Sequence, residues 1–256
     1  MNNLEIAKKA ILEAGEEIMK IYQKDYNIEY KDDTSPFTEA DNKANEILVS
    51  HLEKTDIKIF SEEIKDDYEK RKNEEYLWII DPIDGTKDFI NKTWEFSLMI
   101  WLIKKDQPIL GLVYQPASGK LYFAEKWKWT FLEENKETKQ IQVNPAQKSI
   151  LTSRNHTSDI ELDLIEKMKL ENIPCGSIWV KLWLIAEWKA GNYINLSNKL
   201  WQWDGCWPHM ILEEAGGKVT DIYGNQIKYN QESSKLENWL IGTNWNFHQE
   251  ILDKIN

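Results

Sequence analysis

Apolar side chains recur at helical spacing near the start of the chain, at Leu4, Ile6, Ala7, Ile11, Leu12 and Ile18. That pattern predicts an amphipathic helix over 3–22. KDDTSPF interrupts it and reads as a loop. TEADNKANEILVSHLEK then reads as a second helix, with Thr38 as N-cap and Asp41, three residues on, as a short-armed partner in a capping box. DIKIF is a short strand running into Glu62 and Glu63, and DDYEKRKNEE is a charged, solvated connection. The apolar run EYLWII ends on DPIDGT. FSLMIWLI, PILGLVYQP, KLYFAE and WTFLEE follow as further strands, with turn-like KKDQ and ASGK between them.

This first part, 1–145, therefore reads as two helices before a large, mostly antiparallel sheet. From 146 to 256 strands and helices mix. SILTS, YINL, KVTD and WLIGT read as strands, and TSDIELDLIEKMK, IWVKLWLIAEWKA, CWPHMILEEAGG and NFHQEILDKI as helices. The boundary falls within 142–148, and the whole reads as a layered α/β (α+β) chain.

Composition narrows the function. Lysine and arginine total 32 against 43 aspartates and glutamates, a formal charge of -11. That balance disfavours a nucleic acid polymer as partner and suits a small anionic substrate met through bound cations. Two cysteines, Cys175 and Cys206, make no disulfide framework. No apolar run is long enough to span a membrane, and the N-terminus has no signal-like core. A cytoplasmic protein is expected, with peripheral membrane association left open.

Carboxylates gather at predicted element ends: Glu62 and Glu63 after one strand, Asp81 and Asp84 in DPIDGT after another, and Asp204 at the start of a helix. Hard oxygen donors without adjacent His or Cys suit magnesium rather than zinc. Pro82 restricts the backbone between the two aspartates, so both carboxylates and the Ile83 carbonyl could face one site. Gly85 permits an unusual backbone angle, leaving N–H groups free to meet a phosphate oxygen. Such a site would neutralise a phosphomonoester and lower the pKa of a bound water. An EF-hand is disfavoured, since Pro82 and Ile83 stand where that loop alternates ligands. On the residues alone, ordinary turns and a metal site both stay open.

SEE, WIIDPIDGTKDF and WD with an AGG downstream resemble the inositol monophosphatase superfamily over essentially the whole chain. The resemblance implies alternating αβαβα layers and a metal-dependent, lithium-sensitive phosphatase. By its motif two or three Mg²⁺ ions would be held by Glu62, Asp81, the Ile83 carbonyl, Asp84 and Asp204, with Asp41 near a third, weaker position. Glu62 and Thr86 would orient the attacking water. The phosphate would rest on Ile83, Asp84, Gly85 and Thr86, with Glu62 and Asp204 close to the substrate. SPFTEADNKAN, DGTKDF, EFSLMI and GLVYQPASGKLYFAE look most like the 3'(2'),5'-bisphosphate nucleotidases, which convert 3'-phosphoadenosine 5'-phosphate to AMP. Lys87 and Lys181 are then candidate contacts for a second phosphate, a solvated lysine being the alternative at each. An inositol-1-phosphate or broad sugar phosphatase stays open within the superfamily. A non-catalytic metal-binding relative is the alternative of another functional class, and a homodimer is compatible with either.

One departure is compositional. Glycine numbers 11 and tryptophan 13, so glycine is about 4% against the ordinary roughly 7%. Trp78 and Trp203 stand where the superfamily has tryptophan. Trp94, Trp101, Trp127, Trp129, Trp179, Trp183, Trp188, Trp201, Trp207, Trp239 and Trp245 stand where it shows or tolerates glycine, several of them in turns. A code that reads UGA as glycine, translated as tryptophan, would produce this pattern. Restoring all eleven would double the glycine count. A genuinely tryptophan-rich chain with an aromatic ligand face is the alternative.

Overall fold

The computed structural model describes residues 2–24, 28–30, 36–153, 157–175, 178–196, 200–236 and 240–255. Its first part runs α1 (Asn3–Tyr22), β1 (Ile28–Tyr30), β2 (Pro36–Thr38), α2 (Glu39–Leu52), β3 (Lys58–Ser61), α3 (Tyr68–Arg71), β4 (Tyr76–Asp84), α4 (Thr86–Ile90) and β5 (Ser97–Lys104). It continues through β6 (Gln107–Gln115), β7 (Lys120–Glu125), β8 (Thr130–Glu134) and β9 (Glu137–Ile141). The second part is β10 (Ser149–Ser153), α5 (Asp159–Met168), β11 (Glu171–Cys175), α6 (Ile178–Ala186), β12 (Asn192–Asn195) and α7 (Gln202–Glu214), then β13 (Lys218–Thr220), β14 (Leu240–Thr243) and α8 (His248–Ile255).

A seven-stranded sheet of order β3-β4-β5-β6-β7-β8-β9 is antiparallel except where β3 runs parallel to β4. Strand alternation separates its two faces: Trp78 and Ile80 of β4 pack with α1 and α2, while Leu77 and Ile79 pack with α6 and α7. Tyr193, Val219 and Leu240 of a five-stranded mixed sheet close the far side of α6 and α7. Its other face, through Ile150, Ile194 and Ile241, meets Leu164 of α5 and Ile251 and Leu252 of α8. The layers therefore run αβαβα, as the resemblance implied. The middle apolar layer draws residues from both sides of position 145.

Three local readings need correction. Pro36 and Phe37, expected in a loop, form β2, which pairs antiparallel with β1; Lys31–Ser35 lie outside the described residues. The charged connection after β3 holds α3. There Arg71 is buried, donates through Nε and Nη2 to the two oxygens of Asp66 at 2.7 and 2.6 Å, and lies 4.2 Å from the Phe60 ring centre. Strands β9 and β11 carry no strand signal in the sequence, because neither ETKQI nor ENIPC alternates apolar with polar.

Candidate active site

Asp81 and Asp84 are three apart, a spacing that would place them on opposite faces of a regular strand. The β4–β5 register carries a shift between them: Asp81 pairs with Met99, whereas Asp84 pairs with Ser97. Three steps on β4 thus oppose two on β5, a bulge that turns Asp84 back to the side of Asp81. Pro82 sits inside the bulge, where its missing N–H costs no ladder bond. Gly85 follows at φ 87, and a Cβ there would meet the Glu95 carbonyl oxygen at 2.9 Å, so the corner into α4 requires glycine.

Glu62 continues the parallel edge. Its N–H donates to the Ile80 carbonyl at 3.3 Å, which brings it to the strand end that carries Asp81. Asp204 arrives from the other part of the chain, in the first turn of α7, where its Oδ2 accepts the Trp201 N–H at 2.8 Å. That bond closes the helix start without a Ser, Thr, Asp or Asn at the N-cap. Helix α7 therefore begins at Gln202, four residues earlier than its apolar pattern suggested. One oxygen from each of Asp81, Asp84 and Asp204 lies within 4.8 Å of the others.

Burial, then the charges of Glu62, Asp84, Asp204 and Glu63, pushes the Asp81 carboxyl well above the usual carboxylate range. Burial followed by the Glu62 and Asp88 charges pushes Asp84 up to about 7, against a lowering contribution from Lys181. Asp204 is raised by burial and by the Asp84 charge, although the Trp201 N–H opposes this. Asp81 Oδ1 and Asp84 Oδ2 are buried and accept no hydrogen bond. Buried acceptors left without donors are costly, and a hard cation is what such oxygens fit. The cluster could hold a metal ion.

Thr86 opens α4. Its Oγ1 is 3.2 Å from Asp41 Oδ1 and 3.2 Å from the Ile83 carbonyl oxygen. The other oxygen of Asp41 accepts the Thr38 N–H at 2.8 Å and the Thr38 hydroxyl at 2.7 Å, so the expected capping box is present. Asp41 thus ties α2 to the central motif and stands outside the group of three carboxylates. The two candidate lysines separate. Lys87 is exposed, whereas Lys181 on α6 is buried, with its Nζ 5.1 Å from the Tyr193 ring centre and its charge felt at Asp84. Glu63 and Asp88 also act on the cluster's charge, Glu63 at Asp81 and Asp88 at Asp84, although their positions in SEE and DGTKDF alone do not show it.

A profile of the Inositol monophosphatase family matches residues 2–256. This chain belongs to the inositol monophosphatase family. Among curated relatives, the 3'(2'),5'-bisphosphate nucleotidase CysQ of Salmonella typhimurium is 34% identical over 87% of this chain and 92% of that protein. The protein of the same name from Buchnera aphidicola is 36% identical over 86% and 84%. Among solved structures, CysQ from Bacteroides thetaiotaomicron, titled a bacterial member of the inositol monophosphatase family, superposes with a TM-score of 0.81 at 31% identity, covering 94% of this chain and 96% of that one. Among the described residues, no helix is long and apolar enough to cross a membrane.

Proposed function

We infer that the chain is a metal-dependent 3'(2'),5'-bisphosphate nucleotidase, removing the 3'-phosphate of 3'-phosphoadenosine 5'-phosphate to leave AMP. The observation that carries the reading is the convergence of Asp81, Asp84 and Asp204 within 4.8 Å, with two buried oxygens lacking donors. Similarity to nucleotidases named CysQ, over most of both chains, supports the choice of substrate.

Glu62, Asp81, the Ile83 carbonyl, Asp84 and Asp204 would hold Mg²⁺, which when bound supplies charge neutralisation and a more acidic water. Thr86, donating its hydroxyl proton to Asp41 or Ile83, keeps lone pairs to accept from water. Glu62, whose charge is felt at all three aspartates, would take the proton that water loses. The bond to phosphorus forms from the water oxygen as the ester bond to the 3'-oxygen breaks; the 3'-oxygen takes a proton from solvent water, and Glu62 returns the proton it took to solvent. Lys181 is the better of the two lysine candidates for the second phosphate, being buried at the cluster's edge where a cation is least screened.

Phosphate release from 3'-phosphoadenosine 5'-phosphate and from inositol 1-phosphate, each with and without Mg²⁺, tests the proposal. Mg²⁺-dependent release with clear preference for the bisphosphate is expected. Preference for inositol 1-phosphate would move the chain to the alternative enzyme class. No release from either substrate, beside retained Mg²⁺ binding, would leave a binding protein.

A further inference from the structure

Twelve residues other than glycine take a positive φ among the described residues, and five are tryptophans: Trp94 (67°), Trp127 (69°), Trp129 (71°), Trp188 (72°) and Trp245 (67°). The other seven are Asp56, Asn135, Asn230, Lys92, Lys105, Lys136 and Lys169, between 53° and 66°. Asp and Asn visit the left-handed region with help from their short polar side chains. A bulky aromatic has no such help, and its Cβ crowds the following carbonyl. The tryptophans also sit at higher φ than any of the seven, beside Gly119 at 70°. Among the described residues, no other aromatic residue and no Ala, Val, Leu, Ile or Met shares this region.

Among the described side chains, the same five are the exposed tryptophans. Trp127 is 83% exposed, and Trp94, Trp129, Trp188 and Trp245 are each a little over half exposed. Trp94 retains one edge contact, its ring centre 4.9 Å from that of Tyr22, but indoles half or more in water bury too little apolar surface to favour tryptophan at a left-handed turn.

Local hydrogen bonding shows what the backbone asks for. At the end of α6, Trp188 N–H donates to Ile185 O and Lys189 N–H to Leu184 O. At the end of α7, Gly216 N–H donates to Glu213 O and Gly217 N–H to Leu212 O. These are the same Schellman closure, whose left-handed position is usually glycine; α7 has Gly216 there and α6 has Trp188. Helix α5 closes the same way on Lys169, at the lower φ of 53°. Trp127 and Trp129 lie in the β7–β8 connection, and Trp94 and Trp245 in the turns before β5 and α8.

We infer that positions 94, 127, 129, 188 and 245 are glycine in the protein as its own cell makes it, the corresponding codons being UGA read as glycine. Trp78 behaves as a true tryptophan: it is fully buried, and its Nε1 donates to Thr55 Oγ1 at 2.9 Å. Trp101 carries a different signature, a fully buried indole N–H with no acceptor on a strand position facing Gly111. The proposal rests on backbone conformation and is independent of the activity assigned above.

Peptide mass spectrometry of the protein isolated from its source cells decides it. Glycine at the five positions with tryptophan at 78 and 203 is expected, and tryptophan at the five would overturn the proposal. Recombinant protein gives a second, separate readout. Replacing the five by glycine in the chain as written should raise Tm by roughly 10 °C, whereas Trp78→Gly lowers it. An unchanged or lowered Tm in the five-glycine variant would also overturn it.

Discussion

Thr86 and Asp41 are 45 residues apart, yet their side chains meet at 3.2 Å, joining the N-terminus of α2 to the corner after β4. Asp41 serves two ends at once, capping α2 with one oxygen and facing the Thr86 hydroxyl with the other. Thr86→Ala should therefore lower kcat by about 100-fold with little change in Mg²⁺-dependent stabilisation, measured by thermal shift. Asp41→Asn should lose activity and also about 1 kcal/mol of stability through the weakened cap. A T86A enzyme with wild-type kcat would remove the hydroxyl from the mechanism.

Asp81 is an expensive residue without a cation. Burial with the charges of Glu62, Asp84, Asp204 and Glu63 raises its carboxyl, and burial with the charges of Glu62 and Asp88 raises that of Asp84, so the metal-free fold holds protons that the unfolded chain has released. Raised acid pKa values stabilise the fold at low pH, and this contribution is lost as pH climbs from about 4 to about 7. The Tm gain from Mg²⁺ should accordingly be larger at pH 8 than at pH 6. Asp81→Asn should raise the metal-free Tm at pH 8 while abolishing both the Mg²⁺ gain and phosphate release. Retained turnover in D81N would overturn the assignment.

Lys181→Met keeps the buried stem and removes the charge. The KM for 3'-phosphoadenosine 5'-phosphate should rise about tenfold, as for loss of a charge-assisted contact of roughly 1.5 kcal/mol. Inositol 1-phosphate, with one phosphate, should show a smaller change, and Lys87→Ala should change neither. Equal effects on both substrates would make Lys181 a partner of the cluster rather than of a second phosphate.

Legibility from sequence followed locality. The Thr38–Asp41 box, the strand into DPIDGT and the position of Asp204 in a helical first turn all depend on neighbours within a few residues, and each was readable. Arg71 was not, because its burial depends on Phe60 and on Asn230, whose Oδ1 accepts from Nη1 at 2.7 Å across 159 positions. The β4 bulge was half legible. Pro82 announced an irregular backbone, but only pairing with β5 shows that one extra residue turns Asp84 onto the face of Asp81. Edge strand β9 is exposed at four of its five residues, so no apolar period existed to be read. Trp179 and Trp207 have no described side chain, and Trp239 lies outside the described residues.

His248 sets a separate acid limit, far from the carboxylate cluster in the outer layer. Its ring lies between two hydroxyls, with Nε2 2.8 Å from Thr220 Oγ1 and Nδ1 3.0 Å from Thr243 Oγ1. Thr220 donates its own proton to the Asp221 carbonyl at 2.7 Å, so it must accept from Nε2–H. Nδ1 then accepts from Thr243, whose oxygen in turn accepts the Trp245 N–H at 3.1 Å. A second ring proton would face the Thr243 hydroxyl donor. Burial, with the Lys218 charge adding to it, accordingly lowers the His248 pKa to about 4 from its ordinary 6.5. A depressed folded pKa gives stability that is complete above 6.5 and is lost as pH falls through the window down to about 4, up to about 3 kcal/mol in all. His248→Gln should cost stability at pH 7 through imperfect replacement of both bonds, yet lose less Tm than the parent between pH 7 and pH 4.5. Thermal melts of the two proteins across that range, without Mg²⁺, measure the difference. Parallel Tm–pH curves would show that the acid sensitivity lies elsewhere.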